Sequence, residues 1–434
     1  MSKDVNINVH HITRVEGHGN IVLDVKKGEI NKIQWQVPEA PRFFEAMLRG
    51  RHYDELRTIT SRICGICSIG HSLASLKATE DAMDVKISKQ TDILRHLAIN
   101  GENMQSHILH VGYLAAPDLF GVGSVFPLAS KDTKDALLEI VKLHRFANEF
   151  SELICGRTTH PIRLVVGGFT MLPTKKQLEN LRKRFVENLD RTKKVAEIIL
   201  SVANKLPNFT RETEYIGLTS KDEYAFYEGK IASTDTGVLE DSKRYKDMMQ
   251  EYVVPQSTAK YSKNNRKSYM VGALARYNLN SKQLEPEAKK VADMFGLKPI
   301  CYNPYMNNIA QLVEFVHNIE DSIKWIDFLL DKGIKKETRQ KIKIKEGRGV
   351  GVVEVPRGIL VHDYNINKDG NCTKANCIIP TNQNHANIQH DMEDLVPQIL
   401  DKSEKEIELT LEMLVRAYDP CISCSTHYLD VKFV

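Results

Sequence analysis

The sequence predicts a mainly α-helical protein with α+β excursions. We expect a large helical-bundle core with small peripheral β-sheets, and N- and C-terminal segments that meet at a buried metal site. Long segments repeat apolar residues every three or four positions, which is typical of packed helices. Near the start of the chain apolar and polar residues alternate, and within residues 208–280 the helical period is interrupted. Both patterns indicate strands. One C-x-x-C pair near each end of the chain suggests that both ends share one site.

Bulk composition is that of an ordinary globular protein. The 434 residues, 42% hydrophobic and 27% charged, can bury a large core. Length alone is typical of two or three domains. The paired cysteines at both ends favour one interwoven domain over residues 1–434, with a β-containing excursion at 208–280. A net charge of +4 is near balance and does not indicate a nucleic-acid partner.

The start of the chain predicts its compartment. The first eight residues contain no apolar stretch and no twin arginine, so no export signal is visible. No apolar run reaches the length of about 18 residues that a membrane span needs. Eight cysteines without an export signal are expected to be thiols rather than disulfides. We therefore predict a cytoplasmic protein, with export on a partner's signal as the alternative.

The first half of the chain alternates predicted strands and helices. Its predicted elements are strands over residues 5–37, a short helix within 39–58 that ends at a glycine, and helices over 88–116, 133–154 and 175–206. Thr174 followed three residues later by Gln177 is the capping-box pattern that begins a helix. Pro207 ends that helix.

The second half opens with the β-containing excursion. Helices are then predicted over residues 282–295, 308–332 and 388–416, the last of which leads into the second C-x-x-C pair. The lysine-rich segment 335–347 is interpreted as a solvated face. The glycines of 347–358 lack both the Lys-Ser/Thr ending of a phosphate loop and the spacing of a dinucleotide fingerprint. No nucleotide site is predicted there.

Cys64, Cys67, Cys421 and Cys424 form the two C-x-x-C pairs. Four such thiolates can hold a soft or borderline metal, at about 2.3 Å if the metal is zinc. Zinc ribbons place their pairs about 15–20 residues apart, whereas about 350 residues separate these two. A site with that separation requires that the whole fold be built around it. On spacing alone, a structural zinc site, a redox dithiol and another metal centre all remain open.

The residues around these cysteines resemble the large subunit of nickel–iron hydrogenases. The matching motifs, in the family's order, are R-V-E-G-H (14–18), R-F-F-E-x-x-L-x-G-R (42–51), R-I-C-G-I-C-x-x-x-H (62–71), G-R-T-T-H-P (156–161), V-G-A-L-A-R-Y-N (271–278), E-V-P-R-G (354–358), I-I-P-T-N-Q-N (378–384) and D-P-C-x-x-C-x-x-H (419–427). They span nearly the whole chain. The residues of the first cysteine motif are most similar to those of the cytosolic branch that includes the methyl-viologen-reducing, coenzyme-F420-non-reducing hydrogenases.

In that family all four cysteines bind nickel, and the second of each pair also bridges to iron. The resemblance implies that Cys64 and Cys421 are terminal nickel ligands and that Cys67 and Cys424 are the bridging ones. The iron carries carbon monoxide and cyanide, which maturation proteins install. Soft thiolates suit both metals. Cys421 is the implied first proton acceptor.

Other matched residues are implied in supporting roles. Glu16 would relay the proton outward, since a carboxylate can take protons from a buried sulfur. Arg357 would lie over the open metal face, where a fixed cation can polarise the bound gas and contact a cyanide. Thr381 would donate a hydrogen bond to the second cyanide. His71 would hydrogen-bond a bridging sulfur.

The resemblance also implies a second metal ion, magnesium or iron, near the C-terminus. Glu45, a backbone carbonyl at about Cys377, and His427 match its ligands. Carboxylate and carbonyl oxygens suit such a hard cation. The unmatched cysteines are expected to be buried thiols; they are Cys155, Cys301 and Cys372.

The chain departs from the family pattern at one motif. Many uptake relatives carry an aspartate within a His-Asp-His run where this chain has Gln105-Ser106-His107. An aspartate contact above the metals, or part of a proton path, is therefore expected to be missing. Asp419 stays as an acidic neighbour of the cysteines.

The function implied by the resemblance is reversible, heterolytic cleavage of dihydrogen. Electrons would leave through an iron–sulfur small subunit, because this chain lacks the further clustered cysteines that iron–sulfur clusters need. Flavin or iron–sulfur proteins, heterodisulfide reductase among them, would pass them to a soluble acceptor. A maturation protease would remove residues 428–434, so that the mature chain ends at His427.

Three other functions are open to a chain with these features. A hydrogen sensor would keep the metals but turn over slowly. A non-catalytic scaffold related to the quinone-site subunit of respiratory complexes would share the fold, but those relatives lack the four cysteines. A zinc-structured binding protein would be identified by its metal content.

Overall fold

The structure is a computed structural model that describes residues 4–130, 133–337 and 341–426. The helices are α1 (Phe44–Leu48), α2 (Tyr53–Thr60), α3 (Ser68–Met83), α4 (Lys89–Leu109), α5 (Ala116–Leu119), α6 (Lys134–Cys155), α7 (Lys175–Val202), α8 (Ala273–Asn280), α9 (Pro286–Met294), α10 (Asn307–Lys332), α11 (Pro380–Ile399), α12 (Glu404–Ala417) and α13 (Ile422–Ser425). The strands are β1 (Val5–Val9), β2 (Asn20–Lys26), β3 (Glu29–Gln36), β4 (Leu164–Val165), β5 (Gly168–Phe169), β6 (Glu214–Thr219), β7 (Lys230–Ser233), β8 (Gly237–Val238), β9 (Gln250–Tyr252), β10 (Tyr261–Lys263), β11 (Tyr269–Met270), β12 (Gly347–Val355), β13 (Gly358–Ile366) and β14 (Cys372–Ile378). The predicted fold class, mainly helical with small sheets, is confirmed.

The helical core is built around α4 and α10, which pack against each other. Helix α6 packs on α4, and α7 packs on both α6 and α10. Phe185 of α7 makes edge-on ring contacts with Phe146 and Phe150 of α6, each with centroids 4.9 Å apart. Buried aromatic rings of this kind contribute strongly to a core. None of the described helices combines the length and the apolar character needed to cross a bilayer.

Most of the predicted helices are present, and their ends follow local signals. Thr174 and Gln177 form the predicted capping box at the start of α7. The helix predicted over 88–116 is α4, which continues through a π-helical turn (His110–Ala115) into α5. A π-helical turn often marks a functional part of a helix.

The single helix predicted over residues 388–416 is wrong. The chain forms α11 and α12 instead, and α11 already begins at Pro380. Ser403 and Glu406 form a capping box that begins α12. The apolar period hides this break because both helices bury their apolar faces in the same core.

The strands form small sheets in which the chain mostly runs antiparallel. The N-terminal sheet has the order β1-β2-β3, as predicted for residues 5–37. Strands β6 to β11 lie within the predicted excursion 208–280; their sheets have the orders β11-β6-β7-β8 and β10-β9. Strand β11 runs parallel to β6. The hairpin of β12 and β13 continues into β14, and Val355 pairs with Gly358 next to its turn.

The glycine-rich segment after residue 346 is strand β12, which lies directly on the backbone of α3. A Cβ atom added to Gly347, Gly349 or Gly351 would lie within 2.3 Å of a backbone carbonyl oxygen of α3. No real Cβ atom could occupy such a position, so these glycines permit the close approach of strand and helix. This contact sets the hairpin turn beside the start of α3, where the first C-x-x-C pair lies.

Adding a methyl group at this contact is expected to destabilise the chain. In G349A the new Cβ would lie 2.1 Å from the carbonyl oxygen of Ala78. Overpacking of this kind costs about 2 kcal/mol or more of unfolding free energy. Thermal unfolding of G349A should therefore occur at a clearly lower temperature. The control is G123A, because a Cβ at Gly123 meets nothing within 4 Å; equal melting temperatures for both variants would contradict the role of this contact.

Candidate metal centre

Three thiols from the two ends of the chain converge in the interior. The Sγ atoms of Cys64 and Cys421 are 3.4 Å apart, and these two and the Sγ of Cys424 lie within 4.8 Å of one another. A disulfide would need about 2.05 Å, and these cysteines are free. All three are at most 3% exposed. A buried group of soft donors at this spacing suits a soft or borderline metal ion.

Cys67, the fourth predicted ligand, lies beside this group. It immediately precedes α3, and its N–H and that of Ile66 donate to the Sγ of Cys64 over 3.0 and 3.2 Å. The Sγ of Cys67 accepts a hydrogen bond from Nη1 of Arg357 over 3.3 Å. The structure thus brings all four predicted cysteines to one place, with three sulfurs converging and the fourth next to a buried cation.

The four thiols do not ionise alike. Hydrogen bonds from Cys421 and Cys424 lower the pKa of Cys64 well below that of an ordinary cysteine. Hydrogen bonding with Cys64 and burial raise the pKa of Cys67, hydrogen bonding with Cys424 and Cys64 raises that of Cys421, and burial raises that of Cys424. The cluster therefore favours one thiolate, at Cys64. A metal ion that binds all four sulfurs would displace protons from the others.

Glu16 fastens the C-terminal segment to the N-terminal one. Glu16 and Cys421 form a β-bridge, in which the N–H of Ile422 donates to the carbonyl oxygen of Glu16 over 2.9 Å. The N–H of Ser423 donates to Oε2 of Glu16 over 3.1 Å. The carboxylate predicted as a proton relay therefore lies against the second cysteine motif, in a partly exposed position.

Arg357 is held between the two cysteine motifs. Its Nε and Nη2 donate to the carbonyl oxygen and Oδ1 of Asp419 over 2.6 and 2.8 Å. The guanidinium is 3% exposed. Burial opposes its charge, but Asp419 and the neighbouring thiols raise the pKa of Arg357 above its ordinary value. It is thus a fixed buried cation at the sulfur cluster.

Thr381 and His71 also lie at the centre. The Oγ1 of Thr381 accepts a hydrogen bond from the N–H of Cys421 over 3.1 Å, which fixes the backbone of that cysteine. Nδ1 of His71 lies 3.1 Å from Nε2 of His362. Burial lowers the pKa of His71 to about 4, so its imidazole is neutral at pH 7.

Glu45 and Cys377, two of the residues predicted for the second metal, lie together. The carboxylate of Glu45 is 1% exposed and accepts a hydrogen bond from the N–H of Cys377 over 2.7 Å. Burial raises the pKa of Glu45 to about 7. His427, the third predicted ligand, lies outside the described residues.

Comparison with known proteins identifies the family. A family model described as nickel-dependent hydrogenase matches residues 42–140 and 215–427. The chain belongs to this family. The match includes all four cysteines, and the buried sulfur cluster fits a nickel–iron centre rather than the closely spaced pairs of a zinc ribbon.

The individual relatives are hydrogenase subunits. The chain is 33% identical to the alpha subunit of sulfhydrogenase 1 of Pyrococcus furiosus, with 97% of each chain covered. It is 31% identical to a subunit of the vhc F420-non-reducing hydrogenase of Methanococcus voltae, over 97% of this chain and 94% of the relative. An NAD+-reducing [NiFe]-hydrogenase in the H2-reduced state has the same fold, with a TM-score of 0.87, 26% identity, and 97% and 99% of the two chains covered. The predicted resemblance is confirmed, and the protein is an oxidoreductase of the hydrogenase class.

Two residues of this hydrogenase chain that position the cysteines were not singled out from the sequence. Arg42 donates from Nη1 to the carbonyl oxygens of Ile63 and Ser423, over 2.7 and 3.3 Å, and so joins the two cysteine segments. It belongs to the matched motif at 42–51, which was a usable signal. Glu102 accepts hydrogen bonds from the N–H groups of Ile69 and Gly70 at the start of α3. It lies inside a helical pattern that gives no such signal.

Arg276 was also missed, and it holds the hairpin that carries Arg357. Its Nη1 and Nη2 donate to the carbonyl oxygens of Val355 and Pro356 over 2.9 and 3.0 Å. Its Nε and Nη2 bind both oxygens of Glu314, each over 2.7 Å. It lies in the matched motif at 271–278. Because Pro356 directly precedes Arg357, the position of the buried cation at the sulfur cluster depends on this pair.

Two carboxylates share the Arg276 guanidinium, and only one is stably ionised. Burial opposes ionisation of Glu314, but the two-fold contact with Arg276 and the hydrogen bond with His107 lower the pKa of Glu314 to about 2. Burial raises the pKa of Glu354 to about 7, although Nη1 of Arg276 donates to it over 2.9 Å. Glu314 is therefore the counter-ion of Arg276.

Replacing Glu314 by glutamine is expected to destabilise the hydrogenase chain in a pH-dependent way. The Glu314 pKa is lowered from 4.5 to about 2, so the stabilisation is fully present above about pH 4.5 and is lost as pH falls towards 2. The shift corresponds to about 3 kcal/mol of unfolding free energy. The gap in melting temperature between wild type and E314Q should shrink as pH falls through this window. E408Q, at an exposed site, is the control; a gap that does not change with pH would contradict the assignment.

Proposed function

We propose that this chain is the catalytic subunit of a nickel–iron hydrogenase that splits dihydrogen reversibly and heterolytically into protons and electrons. The observation that supports this most is the convergence of Cys64, Cys421 and Cys424 in a buried cluster, in a chain of the nickel-dependent hydrogenase family. Disulfide chemistry is a poor alternative because the sulfurs of Cys64 and Cys421 are 3.4 Å apart.

Each sulfur is assigned a place in the centre. Cys64 and Cys421 would be terminal ligands of nickel, and Cys67 and Cys424 would bridge nickel to an iron that carries carbon monoxide and cyanide. When bound, this centre would supply the Lewis acidity and the electron acceptance that cleavage of dihydrogen requires. The rest of the chemistry falls to side chains of this chain.

Those side chains hold and move the proton. The Sγ of Cys421 would take the first proton, as a terminal thiolate ligand of the nickel. Glu16 would pass the proton outward, because its backbone is paired with Cys421 and its side chain is partly exposed. Arg357 would face the substrate with a permanent charge that Asp419 holds in place.

Three further assignments support the centre. Thr381 would donate a hydrogen bond from its hydroxyl group to a cyanide, while its oxygen accepts a hydrogen bond from the N–H of Cys421. His71 would hydrogen-bond a bridging sulfur with its other ring nitrogen, Nε2, as a neutral imidazole. Glu45, a carbonyl at about Cys377, and His427 would bind magnesium or iron, which would explain why a carboxylate with a pKa raised to about 7 is buried there.

The chain would work with partners. An iron–sulfur small subunit would receive the electrons, and further flavin or iron–sulfur subunits, heterodisulfide reductase among them, would pass them to a soluble acceptor in the cytoplasm. Some relatives are named as parts of larger complexes, including an iron-sulfur subunit of the F420-non-reducing hydrogenase of Archaeoglobus profundus, to which this chain is 28% identical. A hydrogen sensor with the same metals but slow turnover is the alternative, which a dye-linked rate of hydrogen oxidation would distinguish.

The metal content of the purified complex tests this proposal. We expect nickel, iron and infrared bands of metal-bound carbon monoxide and cyanide. C421A should lose the nickel and all hydrogen oxidation, because a terminal ligand is gone. C155A should keep both, since Cys155 is a buried thiol outside the cluster. A complex that oxidises hydrogen without nickel or without these bands would refute the proposal.

The C-terminal residues provide a separate test. We expect residues 428–434 to be removed after metal insertion, so that the mature chain ends at His427. Intact mass spectrometry of the active complex should show this shortened chain. The same measurement on a nickel-starved preparation should show the full-length chain. An active, nickel-loaded complex that retains Val434 would show that the tail is not a maturation segment.

A further inference from the structure

A stripe of buried polar side chains runs along the interface between α4 and α10. We call it the α4/α10 stripe. It consists of His96, Asn100, Asn103 and His107 on α4, His110 at the start of the π-helical turn that follows α4, and Gln311, Glu314, Asn318 and Asp321 on α10, all at most 5% exposed. Residues three and four positions apart lie on the same face of a helix. The stripe is therefore continuous on both helices, in an interface that would otherwise be apolar.

Hydrogen bonds across the interface fix its register. They join His96 to Asp321 (3.0 Å), Asn100 to Asp321 (2.8 Å), His107 to Glu314 (2.7 Å) and His110 to Gln311 (2.5 Å). Positions rise along α4 as they fall along α10, so the helices are antiparallel. The bonds on either side therefore place Asn103 opposite Asn318, in the middle of the stripe.

The polar atoms at this middle level are unpaired. Both Nδ2 and Oδ1 of Asn103 and of Asn318 lack a hydrogen-bond partner among the described residues, and so do Oδ1 of Asn100, Oγ of Ser106 and Nδ1 of His107. The two facing amides therefore do not bond directly to each other. Buried polar atoms in proteins are almost always paired with protein groups or ordered water. Internal water molecules between the helices would satisfy this set.

The two ends of the stripe lie at the metal centre and near the surface. At the inner end, Gln311 donates to Oδ2 of Asp419 over 3.0 Å, and the other oxygen of Asp419 binds Arg357. At the outer end, His96 and Asp321 have the largest exposed fractions of the stripe, 5% and 4%, and the partly exposed Glu223 interacts electrostatically with both. The stripe thus extends from the interior beside the cysteines towards Glu223.

We propose that the α4/α10 stripe holds a chain of internal water molecules that moves protons between the metal centre and the surface at Glu223. This proposal rests on the proposed function, because a proton route is needed only if protons are released at the metal centre. The stripe would act in parallel with the Glu16 relay: Glu16 contacts Ser423, which follows Cys421 in the chain, whereas the stripe ends at Asp419, which precedes Cys421. It also offers a route in a chain that lacks the aspartate of the His-Asp-His run.

Proton movement along this stripe needs no net chemical change. When a proton is added at one end, each group along the waters accepts one proton and passes another on, so that for every O–H or N–H bond formed another is broken. One proton then leaves at the other end. His107 is suited to such transfer because Nε2 contacts Glu314 while the unpaired Nδ1 is available to water. Ionised Glu314 and Asp321 stabilise a positive charge that passes between them.

Replacing Asn318 by leucine tests the route, because leucine has nearly the shape of asparagine but binds no water. We would compare E16Q with E16Q/N318L in the intact complex. We expect the hydrogen-oxidation rate left in E16Q to fall by about tenfold or more in the double variant, with the infrared bands of the centre unchanged. N318D, which keeps a water-binding group, should restore most of the loss. N188L, which removes a buried asparagine of α7 outside the stripe, is the matched control.

A structure of the wild-type complex, at a resolution that shows ordered water, gives a readout independent of turnover. We expect water between Asn103 and Asn318, and its loss in N318L; N103L serves the same purpose if N318L does not fold. Dry helices, or an E16Q/N318L rate equal to that of E16Q, would overturn the proposal. Failure of the proposed function is distinguishable, since a complex without metal-bound carbon monoxide bands would still show the water.

Discussion

The fold depends on holding thiols from the two ends of a long chain together in one buried place. Closing a chain over such a distance costs conformational entropy, although the cost grows only slowly with length. Hydrogen bonds that do not involve the sulfur atoms offset this entropy cost. The backbone of Glu16 pairs with the segment that starts at Cys421, and Arg42 spans from Ile63 to Ser423. These contacts hold the sulfur atoms close together, so that the donors for a metal ion are preorganised.

Buried charge is the second constraint. An unpaired charge in the interior is far more costly than a paired one, and each buried arginine near the centre has its carboxylate. Arg357 is bound by Asp419, and Arg276 is bound by Glu314. Arg276 also donates to the carbonyl oxygen of Pro356, which directly precedes Arg357. The buried charge beside the sulfurs is therefore positioned by a second charge pair that does not itself contact the cysteines.

Features of the structure could be predicted where they leave a distinct pattern in the sequence. The four cysteines could be predicted because their types, spacing and flanking motifs all point to one chemistry. The helix period located α4, α6, α7 and α10, although only α6 and α7 bury a single face and α4 and α10 are buried on nearly all sides. Strand β12 left no period because it is buried on both faces and rich in glycine. Glu102 and Arg276 were missed because a charged residue in a helical pattern is ordinarily solvent-exposed, and only the packing shows that these are not.

The position of the second cysteine motif has a consequence for how the protein is made. Cys421 and Cys424 leave the ribosome about 350 residues after Cys64 and Cys67. The β-bridge between Glu16 and Cys421 cannot form until the second cysteine segment has been synthesised. N-terminal parts of a chain generally fold first, so Cys64 and Cys67 spend most of synthesis without Cys421 and Cys424. The four-sulfur site therefore forms late in synthesis, and its formation is coupled to the folding of the second cysteine segment.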